Sequence, residues 1–173
     1  ITRRTLLMTG SAGLGFACTG RPIAAEKPSA ETANWRSGVP LPFAVQEIYP
    51  TLHEGRIHLA GGFISAGETI SGASDHHLAF DPGSKAWERR SPLPRPRHHP
   101  NLISFKNVLL SVGGFDLQSE DAIWVMQRGV WRLEGDDWND APSLPRPNGE
   151  SVLGVVGDQL HVCGGRQPVG ERN

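Results

Sequence analysis

Short apolar runs set the rhythm of this chain, and each is closed by a turn. Read backwards from three glycine pairs, "HEGRIHLAGG", "FKNVLLSVGG" and "VGDQLHVCGG" share one layout. An apolar run precedes a two-residue turn (Glu54–Gly55, Lys106–Asn107, Gly157–Asp158), and a second apolar run follows it. Glycine and asparagine accept positive φ at little cost, which tight hairpins require. "EIYPTL", "NLISF" and "SVLGVV" are therefore predicted as first strands, and "RIHLA", "VLLSV" and "QLHVC" as second strands. In the first full copy "HHLAFDP" and "AWERR" supply a third and a fourth strand. In the second copy the third strand falls at 122–126 or at 130–133. Long helical periodicity is scarce.

The same register recurs over longer distances. Trp35, Trp87 and Trp138 follow one another at intervals of 52 and then 51 residues. Leu41, Leu93 and Leu144 sit at a fixed distance after these tryptophans, inside "VPLP", "SPLP" and "PSLP". Gly61–Gly62, Gly113–Gly114 and Gly164–Gly165 hold the same register. Such self-similarity marks stacked supersecondary units, here four-stranded antiparallel meanders of roughly 50 residues. The last glycine pair is thus a repeat landmark. It is no phosphate loop, because Glu171 and Arg172 stand after Gly170 where Lys and Ser/Thr are needed.

The pattern resembles the Kelch repeat. Its marks are the glycine doublet ending the second strand, the aromatic–Asp pair Phe80–Asp81 in the third, the Trp opening the fourth and the "PLPRPR" connection onward. The resemblance covers about residues 34–173 and implies an all-β fold, a Kelch β-propeller whose blades ring a channel. On that reading 26–173 is an incomplete propeller. Residues 34–42 are the fourth strand of a preceding or closing blade, 43–94 and 95–145 are blades, and 146–173 begin a third. A blade must pack on both faces and known propellers close with about four to eight blades, so the chain is expected to be a piece of a protein roughly twice as long.

Composition adds limits. Seventeen basic and 18 acidic residues nearly cancel, so no long-range field favours nucleic acid or anionic membrane. Residues 1–25 are predicted to be a twin-arginine export signal: Thr2–Arg3–Arg4, then Leu6 and Leu7, a mildly apolar "LLMTGSAGLGFAC", and small residues up to Ala25. That run is too short and glycine-rich to span a membrane. The mature chain is expected in the periplasm or outside the cell, with Cys163 as its one cysteine and no internal disulfide.

Candidate chemistry follows from the connections. In a meander the 1–2 and 3–4 turns emerge on one face and the longer 2–3 and 4–1 loops on the other, where function is expected. Those loops carry Asp75, Arg95, Arg97, His98, Asp116, Glu120, Asp121, Arg146, Asn148, Arg166 and Arg172. Arginines at such a rim suit carboxylate or sugar-acid ligands, because the guanidinium fork grips two oxygens. Arg95 and Arg146 are equivalent and read as pins of the connection. Arg97 aligns with Val45 and Asn148, and variation on a fixed frame marks a ligand contact. Neighbouring histidines on a strand face opposite ways, so His76–His77 and His98–His99 predict no metal site. His58 and Cys163 read as buried packing positions, and the repeated tryptophans as core. No cofactor is implied, and no catalytic set is identified. The first functional reading is an exported module that binds a carbohydrate, sugar acid or protein through one loop face. The resemblance also implies two enzymatic alternatives: a sialic acid mutarotase-like isomerase and, more distantly, a copper oxidase of the galactose oxidase type.

Overall fold

The computed structural model describes residues 35–66, 69–118, 122 and 124–167. The expected export signal, Glu120, Asp121 and Arg172 lie outside them. The chain divides into Ile1–Ser37 and Gly38–Asn173. Of the first unit Trp35, Arg36 and Ser37 are described, all of them exposed.

Every described element is a strand. In chain order these are β1 (Val45–Gln46), β2 (Thr51–His53), β3 (Arg56–Ala60), β4 (Phe63–Ala66), β5 (Thr69–Ala73), β6 (His77–Asp81) and β7 (Ala86–Arg90). Then come β8 (Asn101–Phe105), β9 (Val108–Val112), β10 (Phe115–Asp116), β11 (Val125–Met126), β12 (Val130–Glu134) and β13 (Asp137–Ala141), and finally β14 (Val152–Val156) and β15 (Gln159–Cys163). Two antiparallel four-stranded sheets form, β2-β3-β6-β7 and β13-β12-β9-β8, with β14–β15 as a two-stranded sheet. These are blades of a Kelch-type propeller. The 2–3 connection of the first blade carries the β4–β5 hairpin, which β1 joins; that of the second carries β10–β11.

Local chemistry accounts for the strands. The predicted two-residue turns hold Glu54 (φ 48) with Gly55 (φ 76), and Lys106 (φ 49) with Asn107 (φ 60). Positive φ at both positions gives the primed turn whose twist matches its strands. Asp81 at the end of β6 accepts from the Gly83 amide at 2.7 Å and the Ser84 amide at 3.3 Å, which shapes the turn into β7. Those amides hold its carboxyl below the usual carboxylate range. The third strand of the second blade is Val130–Glu134, which pairs with both β9 and β13, so the alternative at 122–126 is set aside.

Repeat landmarks turn out to be joints between blades. Trp138 Nε1 donates to the Ser91 carbonyl at 3.0 Å, and Trp87 Nε1 donates to the Val39 carbonyl at 3.2 Å. Val39 and Ser91 are equivalent, so each tryptophan clasps the linker that follows the preceding tryptophan. Leu93 N donates to Asp75 O and Leu144 N to Arg128 O, both at 2.8 Å. A core of Ala60, Leu93, Leu102, Leu109 and Trp131, with Leu133 and Trp138 against it, lies between the two four-stranded blades.

Three expectations need correction. Residues 35–42 contain no strand, because none of the described residues offers them a ladder; Trp35 is 93% exposed rather than core. Cys163 is exposed, not buried, since β15 pairs only with β14 among the described residues. Arg95 and Arg146 are exposed and make no hydrogen bond or ion pair among the described residues. Backbone bonds from Leu93 and Leu144 pin the connections instead.

The clasp yields a stability prediction for the full-length protein, measured by urea unfolding. Trp138→Ala should cost about 3 kcal/mol through lost packing. Trp138→Phe, which keeps a ring and loses the N–H, should cost about 1 kcal/mol. Equal midpoints for wild type and Trp138→Ala would refute the joint.

Candidate functional site

The glycine doublets create the site indirectly. At Gly61–Gly62, Gly113–Gly114 and Gly164–Gly165 the first residue has φ 72, 61 and 65 and the second φ 93, 89 and 88. The next blade's connection runs hard against them: Gly62 N donates to Arg97 O at 2.9 Å and Gly114 N to Asn148 O at 3.0 Å. A Cβ on Gly113 would lie 2.4 Å from Asn148 O, so only glycine lets the backbones meet.

Arg97 and Asn148, the presumed ligand contacts, serve this joint. Arg97 Nη1 donates to the Gly113 carbonyl at 2.9 Å, and Asn148 Nδ2 donates to the Gly164 carbonyl at 3.0 Å. The two side chains differ in length and perform the same task. Arg97 is 3% exposed, its Nε lies 2.9 Å from Asp116 Oδ1, and its guanidinium covers the Trp131 ring at 4.4 Å. Asp116 is thereby engaged as well. His98 is fully buried, stacked between Phe63 (centroids 4.0 Å apart) and Phe115 (5.1 Å). Asp75 stays half-exposed, 3.4 Å from His76 Nδ1. Among the described residues no group of three or more His, Cys, Asp or Glu is arranged to hold a metal ion.

Two residues past Arg97 and Asn148, and at the matching place in the first connection, lie Glu47, His99 and Glu150. All three adopt the left-handed region, with φ 58, 53 and 55. For side chains with a Cβ this conformation costs on the order of 1 kcal/mol or more, and such residues gather at functional sites. Here they converge from three successive units. His99 Nε2 lies 2.9 Å from Glu47 Oε2 and 3.5 Å from Glu150 Oε1. Arg166 grips Glu150 with both its Nε and its Nη2, the latter at 3.0 Å, and its guanidinium covers the Trp124 ring at 4.8 Å. Trp124 in turn meets His98, His99 and Phe115 edge-on or tilted. The Tyr49 ring centroid is 6.0 Å from that of His99.

Electrostatics define what this cluster offers. Burial pushes the His99 pKa down, while Glu47 and Glu150 push it back up; the net direction is down. Neutral His99 then donates Nε2–H to Glu47 and presents a bare Nδ1, which accepts from His98 Nδ1–H at 2.8 Å. Tyr49 has its pKa raised, first by burial and then by Glu150 and Glu47. His99 is 2% exposed at its side chain, whereas Glu47 is 49% and Arg166 is 53% exposed. The arrangement is a polar rim with carboxylate, guanidinium and indole reachable from solvent above a sealed imidazole pair. It can accept hydrogen bonds at Glu47, donate at Arg166 and stack on Trp124.

Of the eleven loop residues singled out from sequence, eight are described; among these Arg166 belongs to this rim and His98 lies sealed beneath it. Glu47, Tyr49, His99, Trp124 and Glu150 were missed. One signal was present: Glu47, His99 and Glu150 share a repeat position just before the first strand.

No family model matches the sequence. Among curated proteins the chain is similar to Kelch repeat and BTB domain-containing protein 12 of Danio rerio, 25% identical over 154 residues, 80% of this chain and 24% of the relative. Kelch-like protein terF of Aspergillus terreus is 22% identical over 141 residues, 79% of this chain and 31% of that protein. Kelch-like protein 35 of Mus musculus is 29% identical over 137 residues, 79% of this chain and 22% of that protein. The chain therefore spans about a quarter of the length of these relatives. Among solved structures YjhT superposes with a TM-score of 0.58 at 11% identity, covering 68% of this chain and 44% of YjhT. That likeness concerns the fold. The repeat register and the four-stranded sheets agree with these likenesses: the chain is similar to Kelch-repeat proteins in sequence and to a propeller in fold.

Proposed function

We propose that the protein is an exported binding module whose loop face engages a partner protein through the rim of Glu47, Trp124, Glu150 and Arg166. The observation that carries this reading is the convergence of three left-handed residues from three units on one imidazole, which fixes two carboxylates at a common mouth. Arg166 already neutralises Glu150, and His99 is neutral, so Glu47 leaves the mouth with acidic character. A partner segment with a basic side chain beside an apolar one satisfies Glu47 and the Trp124 ring together. The likeness to Kelch-repeat proteins supports a propeller that presents such a loop face.

A peptide-display selection on the full-length protein tests this. A basic–apolar consensus is expected, and the selected peptide should bind at least about tenfold more weakly to Glu47→Gln and Trp124→Ala by calorimetry. Arg95→Ala should leave affinity unchanged. A selection without consensus, or peptides indifferent to both variants, would sink the reading.

A second reading rests on the hydrogen-bonded series Glu47, His99 and His98, which suits proton transfer next to Arg166, a carboxylate-binding group. It corresponds to ring opening and reclosure of a sugar acid. Proton-NMR exchange between the anomers of a sialic acid should then be accelerated by the full-length protein and slowed about a hundredfold or more in Glu47→Gln. Anomerisation at the uncatalysed rate excludes it.

Export is proposed from Arg3–Arg4 and the run that follows. Residues 1–25 fused to a folded reporter should deliver it across the bacterial inner membrane, and a Lys–Lys replacement of the arginine pair should leave it in the cytoplasm. Export indifferent to that replacement contradicts the twin-arginine route.

A further inference from the structure

The first blade carries three histidines on the face it turns to the second: His53 on β2, His58 on β3 and His77 on β6. Register puts them on one side. Thr51 pairs with His58 and His58 with Ala79, while His53 and His77 lie two residues from those partners. Side chains two apart on a strand share a face. All three are buried, at 8%, 6% and 1% exposure. The equivalent positions of the second blade are Phe105, Leu110 and Val130, as its own pairing shows. The fold therefore packs this diagonal with apolar side chains in one blade and with imidazoles in the other. Packing alone does not require histidine here.

Hydrogen bonds fix how these rings are protonated. The Ser91 carbonyl can only accept, so His77 Nδ1 donates to it, at 3.2 Å. His77 Nε2 is then a lone pair that accepts from His58 Nδ1–H at 2.9 Å. His53 Nδ1 is 2.8 Å from Ser104 Oγ of β8, and its ring centroid is 5.5 Å from that of His58. From the second blade, Trp138 meets His77 at 5.3 Å between centroids. A proton on His77 Nε2 would face the His58 N–H. A proton on His58 Nε2 would sit among His53, Arg90 and Arg56, with Glu54 as its opposing charge. Around His77 the charged groups are His58, Arg90 and Asp136. Above the diagonal lies a cleft of about 660 Å³ between the blades, lined by His53, Arg56, His58, Glu88, Arg90 and Glu134 among others.

We propose that the seam between these two blades is an acid-sensitive joint, closed while His58 and His77 are neutral and opening as they take up protons. Burial first, then the neighbouring positive groups, lower both to about 4 in the closed seam. Exposed in an opened seam, each returns to the ordinary value near 6.5. Above that value neither state takes up a proton and the closed seam has its full stability. As pH falls from about 6.5 to about 4 only the open state gains protons, and opening becomes up to about tenfold easier per pH unit for each histidine. Below about 4 both states are protonated and the trend ends.

Native-state hydrogen exchange on the full-length protein tests the seam, with rates corrected for intrinsic chemistry. Between about pH 7 and about pH 5 protection in β3, β6 and β13 should fall at least about tenfold. His58→Gln with His77→Asn removes both titrating rings and retains an amide donor at position 58, and the fall should shrink to less than about threefold. An equal fall in wild type and variant overturns the proposal, because groups other than His58 and His77 then carry the effect. Should the variant not fold, NMR titration of the wild-type imidazole C2 protons decides. Midpoints for His58 and His77 within about one unit of 6.5 overturn it, and lower midpoints support it.

Discussion

Everything in this structure depends on one close approach, the contact between a glycine doublet at the end of a second strand and the backbone that enters the next unit. Gly62 and Gly114 donate to the carbonyls of Arg97 and Asn148, and no side chain fits between. That contact fixes where the connection turns inward. Two residues later the chain must reverse into a first strand, and it does so through a left-handed residue in all three units. His99 and Glu150 are carried in by the same recurring joint, and Glu47 meets them through the same left-handed turn, although among the described residues no doublet amide donates to the equivalent Val45. Their ion pairing is then a gain collected on geometry already set by glycine. The order of causes matters. Loss of an acid at the rim would empty a contact, whereas a side chain on a doublet glycine would displace the connection that carries the whole rim.

Much of the fold was legible because hairpins announce themselves locally. Turn pairs with positive φ, apolar runs on either side and Asp81 at the end of β6 are all short-range signals. The uncertain third strand shows the limit. Both 122–126 and 130–133 have acceptable composition, and only pairing with β9 and β13 separates them. Trp35 shows another, since its place in the series does not supply a partner. Where the motif depends on a neighbouring sheet, sequence identity at the position is insufficient.

The site was harder to read for a physical reason. Arg97 and Asn148 looked variable and therefore free to contact a ligand. Yet a guanidinium and a carboxamide reach the same kind of carbonyl, so the chemistry was constant and only the reach changed. Glu47, His99 and Glu150 presented the opposite case. Their side chains differ, while their backbone conformation is shared, and a left-handed φ leaves no mark in composition unless glycine or asparagine occupies it. Trp124 came from the irregular stretch before β12, where no repeat frame existed to place it.

Repetition supplies an internal control that a single-copy fold lacks. Where copies agree in contact, as with Trp87 and Trp138 or Leu93 and Leu144, the feature belongs to the architecture. Where copies occupy one position with different chemistry, the architecture has been satisfied in more than one way and the difference calls for another cause. Phe63 and Phe115 stack on His98, while the equivalent Arg166 turns to Glu150 and covers Trp124. His53, His58 and His77 replace a set that is wholly apolar one blade later. A buried neutral imidazole keeps a liability that Leu110 does not have, since burial holds it unprotonated only at the expense of stability once the pH drops. A position that can be filled by leucine and is filled by histidine places proton uptake within the joint itself. The two departures also fall on different parts of the molecule, one at the rim where three connections meet and one on the face between two blades. The proposed binding at the loop face and the proposed response to acid thus fall to separate residues on one repeated frame.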